Sequence, residues 1–405
     1  MFPIIDELMA QVGCVRWPSR WRDIYDGVMA DYDKNGGTRL CDPDFYRDIH
    51  ARYGAYPKHL DVICRAALEI GKRDGLSRLL ALLGSAMTDR EHAWEDVASF
   101  TAPVFENGAR DFATDMLTCL ATVSMAPYAY EKMAERNIPR EIILGTVTML
   151  EAGIDEFRKR HGGDYGYHLM NWNQRAIDGL LFRLGRLEIE LSRFEFGFAV
   201  FQDGRGNTVT LAGGDTFHRS GAALGSYRYE DADGAFTTEL TENEDAFTGY
   251  PYDALGRCVR ERATLDKRAW KKRLSHGDKV IALHIPSGGA LTPDEVDRSI
   301  LLAKNFVKEF FPEFDYHCFI CESWLLDPQL EELLGGESNI VKFGRRFTPI
   351  SIESGGKSPF YFVFMRPHEE TVDYASLSEG TRLERALKGR YLSGGAVYDT
   401  FGYFF

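Results

Sequence analysis

"VIALHIPSGGALTPDEVDRSILLAKNFVKEFF", Val280 to Phe311, is the stretch that decides the fold. Its first residues are a short apolar run closed by a proline, the pattern of a buried strand. Gly288 and Gly289 follow, and glycine takes backbone turns that are closed to other residues. Thr292, Pro293 and Glu295 stand where an N-cap, a first-turn proline and a capping-box acid belong. Behind them Val296, Ile300, Ala303, Val307 and Phe310 recur at helical spacing and predict the core stripe of a long helix. A strand, a glycine loop and a helix in that order can aim several N–H groups at a phosphate. The loop has neither the Lys-Ser/Thr of a P-loop nor the spacing G-x-G-x-x-G. Asp294 and Glu295 would repel an anion on the helix axis, so its donors would be the loop amides from Ser287 to Leu291. The alternative is a plain glycine turn into a self-capped helix, and the residues leave both readings open.

Working outward, "RLEIELSRFEFGFAVFQDGRGNTVTLA" (186–212) alternates apolar and polar residues and then turns aromatic, as strands do. Residues 204–266 are polar and rich in glycine and acids, and read as turns, short strands and loops. Downstream, "YHCFICESW" (316–324) predicts a strand and "DPQLEELL" (327–334) a short helix. "GGESNIVKFGRRFTPI" (335–350) reads as irregular, "FYFVFM" (360–365) as a strand and "GTRLERALKG" (380–389) as a helix. The front of the chain differs in texture. "DVICRAALEIGKRDGLSRLLALLGSAM" (61–87) has helical apolar spacing. Later helices are punctuated by Pro127 and by Asn137-Ile138-Pro139, and close at Gly162-Gly163. The expectation is an α+β protein: a helical bundle over 1–160, then a mixed-sheet domain over 161–405.

At 405 residues the chain is too long for one ordinary core, which agrees with two domains. A net charge of −13 argues against broad attraction to nucleic acid or an anionic membrane. A local basic site is conceivable around Lys342, Arg345 and Arg346. No apolar run is long enough to cross a bilayer, and the N-terminus lacks the pattern of a secretory signal, so a cytoplasmic location is expected. Seven scattered cysteines fit reduced thiols better than a disulfide framework.

Four phrases together carry a resemblance: "LFRLGRLEIEL" (181–191), "LHIPSGGALTP" (283–293), "CESWLLDPQL" (321–330) and "SNIVKFGRRF" (338–347). With "RNIPREIILGTVTMLEAGIDEF" (136–157), the chain resembles a bacterial family of acyltransferases that has a helical N-terminal domain and a C-terminal domain of GNAT (N-acetyltransferase-like) fold. The resemblance implies acyl-CoA or acetyl-CoA as cosubstrate and a small-molecule amine as acceptor. In GNAT enzymes a strand runs into an Arg/Gln-x-x-Gly-x-Gly/Ala loop whose amides hold the CoA pyrophosphate. The neighbouring strand splays away to admit the pantetheine arm. By that likeness Ser287, Gly288, Gly289 and Ala290 would hold the cosubstrate, although Ile285 stands where the Arg or Gln belongs. The family's Asn–aromatic–Tyr feature is matched by Asn339, Phe343 and Phe347, while Arg346 falls at the place of the general-acid Tyr.

Acyl transfer to an amine needs a base, a group to polarise the thioester and a proton donor for the thiolate. His284, at the end of the strand that feeds the loop, is the candidate base; the other reading is a hydrogen-bonded structural histidine. Glu188 and Glu190 share one face of their strand and could hold an amine, or could simply face solvent. Ser323 is a candidate proton or hydrogen-bond donor, and Ser338 and Asn339 are candidate polar contacts that could equally tie down a turn. Alternation puts Cys318, Ile320, Glu322 and Trp324 on one strand face and Phe319, Cys321 and Ser323 on the other. A Cys321–His284 hydrolase is a remote third reading, and no cysteine or histidine spacing suggests a metal. A protein that keeps the fold for binding alone is the main rival to a transferase. The acyl acceptor and the oligomeric state stay open.

Overall fold

The computed structural model describes residues 3–88, 102–225, 232–366 and 372–405. Its contacts divide the chain into two units, Met1–Arg183 and Leu184–Phe405.

The first unit is helical, with one small two-stranded pair, Cys14–Arg16 against Val104–Phe105. At its centre lies the helix Phe112–Ser124, apolar nearly all round, with Met116, Leu117, Leu120 and Val123 fully buried. A helix that is hydrophobic on every side must be surrounded. Here Leu60–Gly71, Asp74–Ala86, Arg140–Arg160 and Met170–Ile177 do so. Asp111 caps it, accepting the N–H groups of Ala113 and Thr114. The punctuation expected from the sequence is present. Pro127 opens the helix Ala126–Ala134, Asn137 turns the chain at φ 59°, and Gly162-Gly163 end Arg140–Arg160.

Among the described residues the second unit has two larger sheets and a small antiparallel pair, Thr216–Phe217 with Phe236–Thr237. One larger sheet runs, in spatial order, Thr348–Ser351, Thr400–Phe404, Phe319–Ser323, Lys279–His284, Leu187–Arg193. Every neighbouring pair is antiparallel except the central one: Lys279–His284 and Phe319–Ser323 are parallel. Parallel neighbours need a crossover, and the helix Pro293–Phe310 supplies it. The other sheet, antiparallel, runs Ala263–Asp266, Ala246–Pro251, Thr208–Ala212, Ala199–Asp203, Trp270–Leu274. Residues 204–266 are turns, loops and short strands as expected, and Thr208–Ala212, Ala246–Pro251 and Ala263–Asp266 among them pair into this sheet. Its polar outer face hides the pattern, and only residues such as Leu211, Phe247 and Leu265 turn inward.

The two sheets share a core. Val280, Ala282, Cys318, Ile320, Phe401 and Tyr403 of the first meet Val200 and Leu274 of the second, with Phe194 and Phe198 filling between. The Tyr403 hydroxyl bonds the Thr210 hydroxyl across this core at 2.8 Å.

Three local expectations need correction. "FYFVFM" is not a strand: Ser358–Phe362 is a short helix opened by Pro359, and Phe360 packs beside Leu387 and Tyr391. Pro in the second position starts a helix more readily than it sits in a sheet. "GGESNIVKFGRRFTPI" is ordered, as the helix Asn339–Gly344 and the strand Thr348–Ser351. The crossover helix turns slightly from its expected stripe, burying Ser299 and Phe306 with Val296, Ala303 and Val307. Ser299 is inside because Gly185, at φ +66°, comes so close that a Cβ there would lie 2.8 Å from its Oγ.

Candidate active site

In the central parallel pair the His317 N–H donates to the Lys279 carbonyl, and the ladder then runs through Ile281–Phe319 and ends at Ala282–Ile320. Beyond those residues both strands continue with their outer partners. Lys279–His284 stays with Leu187–Arg193 as far as His284–Glu188, and Phe319–Ser323 stays with Thr400–Phe404 as far as Ser323–Thr400. The two central strands thus separate, and a wedge opens between their C-terminal ends. In α/β sheets that end is where ligands enter.

The side chains at the wedge follow from strand alternation. Val280, Ala282 and His284 point to one face, as do Glu188 and Glu190 beside them and Ile320 and Glu322 across the gap. The apolar members of this face lie in the core, and the polar members begin where pairing stops. His284 Nε2 meets Glu190 Oε2 at 2.8 Å, with both side chains part-buried. Glu188, directly opposite His284 in the ladder, is buried. On the far lip, the Glu322 carboxyl is pushed above its ordinary 4.5 by the protein around it and then by Asp399, while His284 opposes the shift. Glu322 as a whole residue still reaches solvent. Sequence reading placed Glu322 on its strand face but gave it no role. The signal was the parallel register, which places the residue two beyond Ile320 level with His284.

The loop after His284 is exposed from Ser287 to Ala290, and Gly288 and Gly289 both take positive φ, 88° and 73°. Nothing lies within 4 Å of a Cβ built on Gly288. Arg186 braces the loop from behind, donating to the carbonyls of Pro286 (2.9 Å) and Gly289 (3.3 Å), while its own N–H donates to Ser299 Oγ. The amides of Ser287, Gly288, Gly289 and Ala290 meet no acceptor among the described residues. Arg186 was quoted within a phrase of the sequence but not recognised as the brace.

Thr292 caps the crossover helix, its Oγ1 accepting the Glu295 N–H, and the Glu295 carboxylate lies 3.8 Å from Arg298. The acidic start is partly balanced: Arg346 pairs with Asp297 and donates to the Pro293 carbonyl. Lys342 and Arg345 pair with Glu337 and Glu331. Each member of the suspected basic site therefore already has its own carboxylate.

The remaining candidates lie apart from His284. Ser323 is on the opposite strand face, its Oγ accepting the Leu325 N–H to cap the turn Trp324–Leu326. Ser338 and Asn339 begin the short helix Asn339–Gly344, which packs on that turn and on the crossover helix. Cys321 also points away from His284 and is buried, with its thiol pushed far up by desolvation, so a Cys321–His284 pair does not form. Among the described residues no group of three His, Cys, Asp or Glu side chains is placed to hold a metal.

Two family models match the chain. The GNAT-like C-terminal domain covers residues 181–404, and the N-acyltransferase N-terminal domain covers 65–179. The chain belongs to the GNAT-like C-terminal domain family. Among solved structures it is similar to an acyltransferase in complex with decanoyl-CoA and teicoplanin, at 21% identity and a TM-score of 0.64 over 98% of both chains. It is also similar to an acyltransferase mutant in complex with octanoyl-CoA, at 21% identity and a TM-score of 0.65 over 99% of both. These likenesses extend the family's fold over nearly the whole chain. No curated protein sequence matches at a significant level. Among the described residues no helix is long and apolar enough to cross a membrane.

Proposed function

We propose that this chain is an acyl-CoA-dependent N-acyltransferase acting on a small-molecule amine. The observation that carries the reading is the wedge between Lys279–His284 and Phe319–Ser323, with open loop amides at one end and His284, Glu190 and Glu322 around it. The solved relatives in complex with acyl-CoA, and one of them with teicoplanin, lend it support. The residues fit the cosubstrate: Gly288 leaves open the space a side chain would fill, and the amides from Ser287 to Ala290 lack acceptors among the described residues. Those amides would hold the pyrophosphate, and the wedge would receive the pantetheine arm. Acyl-CoA supplies the activated acyl group as a thioester.

N-acylation exchanges a C–S bond for a C–N bond; one proton leaves the amine and one reaches the sulfur. His284 takes the first, with Glu190 fixing the orientation of the ring. Glu322, which keeps its proton to higher pH than an ordinary glutamate, stands across the wedge as the donor of the second. It fills the role left vacant by Arg346 at the family's Tyr position. Glu188, opposite His284 in the ladder, is a candidate contact for the amine. The hydroxyl of Ser323 caps a turn, and Ser338 and Asn339 remain candidate contacts at the crossover-helix end.

His284→Ala should lower kcat by about a hundred- to ten-thousandfold with little change in CoA affinity. Intact turnover would remove the base assignment. Ile285 and the acidic helix start favour a second reading, a binding protein that keeps the fold without the chemistry. Thermal denaturation with CoA, acetyl-CoA and longer acyl-CoAs separates the two. A ligand at about 100 times its Kd stabilises by roughly 2.7 kcal/mol, and no shift with any CoA species would leave the binding-protein reading.

A further inference from the structure

A cavity of about 570 Å³ in the second unit is lined by residues 196, 198, 215–217, 223–225, 252 and 351–353. Phe196, Phe198, Phe217 and Tyr252 wall it, and Asp215 and Glu353 stand at its rim. Tyr252 meets Phe217 at 78° and Phe198 at 68°, both with centroids 5.9 Å apart, while Phe196 lies at 32° to Phe198. The rings therefore bound the space on several sides instead of stacking closed. Neither rim carboxylate has a hydrogen bond or ion pair from its side chain among the described residues. No Lys, Arg or His is among the described residues that line the cavity. Desolvation pushes the Asp215 carboxyl upward.

We propose that this cavity is a binding site for an organic cation, an alkylammonium group carried by the acyl acceptor. Aromatic walls attract a cation through their π faces, and carboxylates at the mouth complete the charge balance. The chain's net charge of −13 favours a cationic ligand in the same direction. The cavity is also near the wedge. Phe196 packs on Phe401 at a centroid distance of 4.5 Å, and Phe401 stands opposite Glu322 in the strand ladder. One ring thus separates the cavity wall from the side chain facing His284. A group held in the cavity would place the rest of the acceptor toward the wedge. The assignment to the acceptor rests on the transferase reading; the cation site does not.

The test is calorimetric titration of the full-length protein with choline and with its uncharged isostere 3,3-dimethylbutan-1-ol. Choline should saturate one site and the isostere should not. Asp215→Asn and Glu353→Gln, both at exposed positions, should each weaken choline about three- to thirtyfold. His284→Ala should leave choline binding unchanged. Equal binding of the isostere, no saturable choline binding, or full choline affinity in the Asp215→Asn/Glu353→Gln double variant with an unchanged melting curve would each overturn the proposal. CoA titrated in the same samples keeps the two readings apart. Choline binding without any CoA response would sink the transferase and keep the cation site. The reverse result would sink the cation site alone.

Discussion

Ser287-Gly288-Gly289 and Ser354-Gly355-Gly356 are the same tripeptide, each placed between a strand and a helix of the second unit. The second is followed by Lys357-Ser358 and so looks more like a phosphate loop than the first does. Their hydrogen bonding says the opposite. In the second loop the buried Ser354 hydroxyl accepts the N–H groups of Gly356 and Asp399 and donates to the Asp399 carboxylate, which also accepts from Ser358. The Gly356 amide is taken up and the loop is tied to Asp399. In the first, Arg186 takes two carbonyls and the amides are left for solvent or ligand. A glycine pair permits an anion site, and unsatisfied donors make one.

The largest effect expected from breaking this contrast is at Asp399. Asp399→Ala removes the acceptor of both serine hydroxyls and should cost about 2–4 kcal/mol of stability, because buried groups left without partners are expensive. CoA affinity should survive in the folded fraction. Urea denaturation together with CoA titration checks both halves. A variant as stable as the parent would mean that the second loop is not held by this network.

How far the sequence revealed this contrast can be followed residue by residue. The strand, loop and helix from Val280 to Phe311 were legible because each rests on local signals: an apolar run, a glycine pair, a Thr-Pro-x-Glu start. His284, Glu188 and Glu190 could be placed on strand faces by alternation alone. Glu322 needed the parallel register, Arg186 needed the position of a loop 100 residues away, and Asp399 lies 45 residues from Ser354. Nothing local records such pairings. "FYFVFM" misled because its aromatic residues suit a strand or a buried helix face equally, and Pro359 was the deciding signal.

Gly288→Ala comes next in size. At φ +88° any side chain is strained, so the variant should lose about 1–2 kcal/mol of stability. The added methyl meets no protein atom, since nothing lies within 4 Å. Any further loss must come from a ligand that approaches the backbone there. We expect CoA affinity to fall about tenfold, some 1.4 kcal/mol. Unchanged affinity would return the first loop to the status of a plain turn.

Glu322 sharpens the description of the wedge. Below its ordinary value of 4.5 the carboxyl is protonated in both folded and unfolded chains and contributes nothing to pH dependence. Above it the unfolded chain ionises first, so the folded state loses stability as pH rises toward the raised native value, then levels off. The melting temperature of the parent minus that of Glu322→Gln should therefore fall as pH rises from 4.5. A flat difference would show that the carboxyl is not perturbed and would withdraw it as the proton donor.

The smallest effect separates what the crossover helix needs from what the loop does. Asp294 sits in the first helical turn, where negative charge interacts well with the helix dipole; the same charge faces any phosphate brought to the loop. Asp294→Asn should therefore act with opposite signs on two measurements. Stability should drop by about 0.3–1 kcal/mol, because a favourable charge–dipole contact is lost. CoA should bind about two- to fivefold more tightly, because a repulsion of similar size is removed. Salt should shrink both changes, since the carboxylate is exposed. If stability falls and affinity does not rise, the pyrophosphate is not near the helix start. The open amides from Ser287 to Ala290 would then have to serve a different ligand, and the wedge would have to be explained without CoA.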